Sequence, residues 1–230
     1  MKLAKFKDYP FQSDVQLLFI RHAESIGNWE KRILGQCQDK NELTACGQEQ
    51  AQCLSWRLKT HFPPPTHVYT SPLIRAVQTA TIVINGLREE NINPPMIQDA
   101  DLQELNAGIL QGLTWTEAQQ KYPQLCHRLE SQLTWIPIPG GESLQSARHR
   151  AQQFITRLLN QHDNDSILWV ITHGGFLPYL VSALWGGERV LGFSAGYASV
   201  FELWIEQTHW FLRDGNQYNS QLWQIRRFND

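Results

Sequence analysis

Val15-Gln16-Leu17-Leu18-Phe19-Ile20-Arg21-His22-Ala23-Glu24-Ser25 joins a short apolar run to a dense group of anion-seeking side chains. The run from Val15 to Ile20 is too short for a typical helix and rich in β-favouring residues, which predicts a central strand. Arg21 and His22 then stand at its C-terminal end. In open parallel α/β sheets ligands bind in the crevice beyond the strand C-termini. An adjacent guanidinium and imidazole there point to an anion, phosphate above all: arginine offers a planar fork of donors matching phosphate oxygens, and a neutral imidazole offers a nitrogen able to attack phosphorus.

The remaining sequence sets the bounds. Its 230 residues, 42% hydrophobic and 18% charged, suit one α/β domain over 1–230 with a core large enough to need no staples. With 20 basic and 22 acidic residues mixed along the chain, the formal net charge is -2, which speaks against a nucleic-acid groove or a polybasic membrane patch and for a small soluble substrate. Cys37, Cys46, Cys53 and Cys126 form no CxxC pair and no zinc-like spacing. Met1 to Pro10 is polar and lysine-rich, unlike a secretory signal, and no apolar run is long enough to cross a bilayer. A cytoplasmic protein is expected.

Other segments repeat the strand-then-helix pattern. Thr44 reads as the cap of a helix carrying Ala51, Leu54 and Leu58 on one face. His67 to Thr70 is a short strand. Ser71-Pro72 reads as an N-cap followed by proline at the first helical position, opening a helix marked by Ala76, Val77, Ala80, Val83, Ile84 and Leu87. Arg75 falls in its first turn, where a cation opposes the helix dipole, so a purpose other than helix stability is expected. Asp101 to Leu105 is a strand end or turn bearing two carboxylates, and Thr114 to Glu117 is a capping box that starts a further helix, ended by Pro123. The irregular pattern that follows, with Trp115, Tyr122 and Trp135, predicts a cap insertion over roughly 105–140. A further helix runs over Ala147 to Leu159. Ile167 to Thr172 is apolar on both faces, as in a central parallel strand, and ends at His173-Gly174-Gly175. Ser199 to Ile205, Trp210 to Arg213 and Leu222 to Arg226 read as short closing strands. Trp204, Trp210, Phe211 and Trp223 fit either a core or a homodimer interface, and the oligomeric state stays open.

Arg21, His22, Arg75, Glu104 and His173 thus converge on one edge. Two arginines and two histidines could surround a phosphate monoester with charge-assisted hydrogen bonds, the guanidinium groups favouring a neutral His22. A bound dianion would favour the protonated form of Glu104, which could then donate to a leaving oxygen. A metal held by His22 and His173 is disfavoured, because both arginines would repel it.

At this point a family resemblance emerges. Arg21-His22-Ala23-Glu24-Ser25 with Asn28, Leu43-Thr44 with Gly47 and Gln50, Ser71-Pro72 with Arg75, Glu104 with Gly108 and Gly112, Gly140-Gly141-Glu142-Ser143, and Thr172-His173-Gly174 together resemble the histidine phosphatase (phosphoglycerate mutase-like) superfamily. The resemblance implies an α/β three-layer sandwich with a largely parallel central sheet, helices on both faces and a cap over the strand C-terminal edge. It implies no metal or cofactor, a phosphohistidine on His22, a phosphate pocket of Arg21, Arg75 and His173 helped by Asn28, and Glu104 as proton donor. The mutase branch looks like Glu-His-Tyr-Gly where this chain has Glu104-Leu105-Asn106-Ala107, so the broad phosphatase branch is preferred. Ala23 replaces the usual glycine, and Leu34 stands where related phosphatases often place a polar, substrate-touching residue. Mutase chemistry and a non-catalytic phosphate-binding module are the alternatives. Gly192-Phe193-Ser194-Ala195-Gly196 also spells the serine-hydrolase GxSxG, but without the strand-turn-helix context that motif needs.

Overall fold

The computed structural model describes residues 14–37, 41–186, 189–212 and 223–230. The readings made for Met1 to Pro10, Arg213 and Leu222 lie outside the described residues. Within them, β1 (Val15–Arg21) and β4 (Ile167–Thr172) pair in parallel at the centre of a six-stranded sheet, with Arg21 opposite Thr172. β2 (His67–Thr70) pairs in parallel with the other side of β4, and β3 (Met96–Gln98) with β2. β5 (Val200–Ile205) returns antiparallel to β1 and β6 (Trp223–Arg227) antiparallel to β5, giving the order β3-β2-β4-β1-β5-β6. Four parallel strands therefore end on one edge.

The period-two geometry of the strands builds two cores at once. Leu17 and Phe19 of β1, with Leu168 and Val170 of β4, pack on α6 (Leu144–Gln161) and α7 (Leu177–Leu184) through Phe154, Ile155, Leu158 and Leu180. The intervening Leu18, Ile20, Trp169 and Ile171 face the opposite layer, α2 (Ala45–His61) and α3 (Ile74–Arg88), through Leu54, Leu58, Ala80 and Val83. Continuous apolar runs rather than alternation are thus what burial on both faces requires. Thr44 caps α2 by accepting from Gly47 N at 2.9 Å.

Several sequence expectations are corrected. The N-cap of α3 is Leu73 rather than Ser71. Of the two readings for the segment from Asp101, strand end or turn, the structure has a turn, a single 3-10 turn holding Asp101 and Leu102, while the short edge strand β3 before it went unread because two prolines disguised it. The capping box of Thr114 and Glu117 starts α4 (Trp115–Lys121) as read, but the stretch after it, expected to be irregular, holds a second helix, α5 (Pro123–Ser131), and the two gather around a small apolar cluster of Leu110, Ala118 and Cys126. Trp210, expected in a strand, lies in α8 (Gln207–Leu212), where its indole donates to Leu184 O at 2.9 Å. Gly192 to Gly196 has no strand before it and no helix after it. No helix among the described residues is long and apolar enough to cross a membrane.

Phe154 is fully buried and meets Tyr69 edge-on, with ring centroids 6.0 Å apart. Truncating Phe154 to Ala should cost about 3–5 kcal/mol of unfolding free energy in urea titrations. A loss below about 1 kcal/mol would mean that this layer repacks freely.

Candidate active site

The parallel register lines up the side chains that follow each strand. His22 N donates to Thr172 O (2.9 Å), Ser71 N to Ile171 O (3.0 Å) and Asp99 N to Thr70 O (2.9 Å), so the first residues beyond β1, β2 and β3 are fixed against their neighbours. His22 and His173 lie side by side with ring centroids 4.9 Å apart. Arg75, in the first turn of α3, reaches between the layers and donates from Nε to His22 Nε2 at 3.1 Å. Its other nitrogens donate to Gly35 O (3.0 Å) and to Asn41 Oδ1. The backbone carbonyl of Ala23 can only accept, so the 2.7 Å contact from His22 Nδ1 puts the ring proton on Nδ1 and the lone pair on Nε2.

All three side chains are at most 2% exposed. Burial, then the Arg75 and Arg21 charges, holds the His22 imidazole well below its ordinary range, with the Ala23 carbonyl opposing them. Burial, then Arg75 and His22, does the same to His173. Burial also brings Arg75 down to about 10, which leaves it cationic at neutral pH. His173 Nε2 meets Ser71 Oγ at 2.7 Å, while His173 Nδ1, Arg21 Nε and Asn41 Nδ2 are buried without a hydrogen-bond partner.

Arg21 is held by Ala195 O (2.6 Å from Nη1) and by the Tyr197 ring beneath its guanidinium at 4.1 Å. Glu104 accepts from Leu105 N through Oε1 (2.9 Å) and from Gly175 N through Oε2 (3.0 Å). Arg21 and Glu104 share the wall of an open cleft of about 520 Å³ with Gly174, Gly175 and the segment from Gly192 to Ala195. A Cβ on Gly174 would stand 2.9 Å from Arg21 Nε, and one on Gly175 would stand 2.6 Å from Glu104 Oε1, so the chain after His173 must be bare for both side chains to approach.

The structure therefore brings Arg21, His22, Arg75, Glu104 and His173 to one edge. Asn28 is differently employed: its Oδ1 accepts from Ser25 Oγ (2.8 Å) and Ser25 N (3.2 Å), closing the first turn of α1 (Ile26–Trp29). Leu34 is buried with its side chain against Gly27, and the Ala23 methyl packs with Leu43 and Ala51. The sequence reading missed Asn41, which orients Arg75, and the bond between Ser71 and His173. It also missed Thr79, whose hydroxyl donates to Arg75 O (2.7 Å) and accepts from Ala23 N (3.1 Å). Thr79 lies four residues after Arg75, one turn along the same face, and that spacing was a usable signal. The motif residues Thr44 and Gln50 prove to be anchors of the loop after His22. Thr44 Oγ1 donates to Glu24 Oε1 (2.8 Å), and Gln50 Oε1 accepts from Glu24 N (2.9 Å).

Residues 17–217 match the model of the histidine phosphatase superfamily (branch 1). A phosphoglycerate mutase-like protein 4 of Arabidopsis thaliana is 30% identical over 213 residues, covering 90% of this chain and 84% of that protein. A metal-independent phosphoserine phosphatase of the same plant is 32% identical over 173 residues, covering 74% and 69%. The solved structure of a putative alpha-ribazole-5'-P phosphatase from Escherichia coli superposes with a TM-score of 0.76 over 94% of this chain and 96% of the other, at 23% identity.

Because His22 and His173 are held neutral in the fold, the unfolded chain takes up protons that the folded chain refuses as pH drops below 6.5. Their contribution to stability is present above that pH and is lost as pH falls toward the lowered folded-state values. The unfolding free energy should therefore decrease below pH 6.5, while the ring resonances of both residues stay at their neutral positions through pH 6.5. Ring signals that titrate at the ordinary histidine value would contradict this burial.

Proposed function

Because the chain belongs to the histidine phosphatase superfamily, we propose that it hydrolyses a phosphate monoester through a phosphohistidine on His22. The observation that carries this reading is the pinned imidazole, with Nδ1–H on the Ala23 carbonyl and the lone pair of Nε2 directed to the Arg75 side. As substrate enters, Arg75 Nε turns from His22 to a phosphoryl oxygen and frees that lone pair. Arg21 Nε and His173 Nδ1, both buried and unpartnered, complete the cradle for a dianion. Ser71 suits the same arrangement: its oxygen accepts from Leu73 N at 3.3 Å and its hydroxyl hydrogen is free to go to His173 Nε2, the tautomer that carries the His173 proton on Nδ1.

In the first step the His22 Nε2–P bond forms as the P–O bond to the leaving group breaks, and Glu104 passes its proton to the departing oxygen. In the second, water attacks the phosphohistidine, Glu104 takes its proton, and the N–P bond breaks to release inorganic phosphate. Hydrolysis is preferred to mutase transfer because Glu104-Leu105-Asn106-Ala107 departs from the mutase-like pattern and because a relative of similar identity is named as a phosphoserine phosphatase. A cleft of this volume suits a small-molecule ester.

A panel of phosphoglycerates, sugar phosphates, phosphoserine and nucleotides should give released phosphate with at least one member; isomer exchange without release would assign the chain to mutase chemistry instead. His22→Ala should abolish turnover and acid-labile phosphoenzyme together, and retained labelling would move the nucleophile elsewhere. Glu104→Gln should slow alkyl phosphates by about 10²–10⁴-fold while sparing p-nitrophenyl phosphate, whose leaving group needs no proton.

A further inference from the structure

We propose that Arg150, on α6 and outside the catalytic set, is the positioning residue that aims Glu104 at the leaving group; the inference rests on the acid role given to Glu104 above. The Arg150 side chain is mostly buried, and each of its three nitrogens has a partner. Nε donates to Glu142 Oε1 (3.0 Å) and Nη2 to Glu142 Oε2 (2.8 Å), a two-pronged ion pair. Nη1 donates to two backbone carbonyls, Asp101 O and Gln103 O, both at 2.7 Å. The carbonyl between them, Leu102 O, accepts from Thr172 Oγ1 at 2.8 Å, one residue before His173. Three consecutive peptide oxygens leading into Glu104 are therefore gripped, two by Arg150 and one by the strand that delivers His173.

The other face of the guanidinium lies 3.8 Å from the centroid of the Phe176 ring, one residue after the Gly175 whose N–H holds Glu104 Oε2. Glu142 in turn fixes the far side of the segment: its N donates to Asn106 O at 2.8 Å, and its Oε2 accepts from Asn106 N at 3.4 Å. Arg150 thus ties together the residues before Glu104, the residues after it, and the turn that carries its backbone partner. A planar fork is required for this. A lysine keeps the charge but cannot serve a carboxylate and two carbonyls in one plane.

The test compares Arg150→Lys with the parent on an alkyl phosphate and on p-nitrophenyl phosphate, alone and in a Glu104→Gln background. The expected result is a loss on the order of 10- to 100-fold in kcat for the alkyl ester, the scale of a displaced catalytic group. The aryl ester should lose far less, KM should be little changed for both, and no further selective loss should appear once Glu104 is Gln. Equal losses on the two esters, with Glu104→Gln itself still selective, would overturn the inference and leave Arg150 a packing residue. If Glu104→Gln is not selective, the acid role fails and the inference falls with it. Should Arg150→Lys not fold, Glu142→Gln, which weakens the fork from the other side, is expected to give the same leaving-group split, and an even loss would again overturn it.

Discussion

Arg75 carries a positive charge into a place that water does not reach, and its three hydrogen-bond partners, His22 Nε2, Asn41 Oδ1 and Gly35 O, are all neutral. A buried cation without a carboxylate clasped to it is costly, and the rest of the molecule has to carry that cost. Two apolar layers on either side of the sheet supply the stability. Burial first, and then this charge, hold the two neighbouring imidazoles unprotonated. Were Arg75 satisfied by an acid, the fold would be easier to build and both imidazoles would feel far less of its charge.

The sheet explains how side chains so far apart in the sequence reach the same point. Parallel strands end at one edge, and each of β1, β2 and β4 places a polar residue there immediately after its last ladder position: His22, Ser71 and His173. Glu104 arrives without a strand of its own. The 3-10 turn after β3 swings the chain across the edge, and carbonyl contacts to Thr172 and Arg150 hold it there.

Much of this was legible in the sequence because two kinds of signal coincided. β1 and β4 are dominated by apolar residues, and each is followed directly by a histidine, so both the central strands and the edge where those histidines meet could be read from local pattern. β3 could not, since its three residues are exposed and follow two prolines. α5 buries little beyond Cys126 and offers no wide apolar stripe, and the aromatic run in α8 is too short to separate helix from strand by period. Within the site, Arg75 was legible because a cation in a helix's first turn is out of place. Asn41 and Ser71 were not, because an amide or a hydroxyl in a loop suits its surroundings as well as it suits a buried partner, and only the tertiary register decides.

The excursion that follows Glu104 is closed at its base largely by main chain. Ile109 N donates to Pro139 O at 3.0 Å, Glu142 N to Asn106 O at 2.8 Å, and Ala107 pairs with Gly141. Gly108, at φ +54°, lies so near the opposite strand that a Cβ would come within 2.2 Å of the Pro139 carbonyl. Beyond this closure the excursion is tied down once more, where Ile33 N donates to Leu113 O and Gly112 N to Ile33 O, both at 2.8 Å, whereas the run from Gln132 to Trp135 is exposed. The entropy of closing a loop grows only with the logarithm of its length, so that run can lengthen at a cost of about 0.6 kcal/mol per doubling. Growth there would let out the hem of the excursion while the strand edge that bears His22 and His173 keeps its cut.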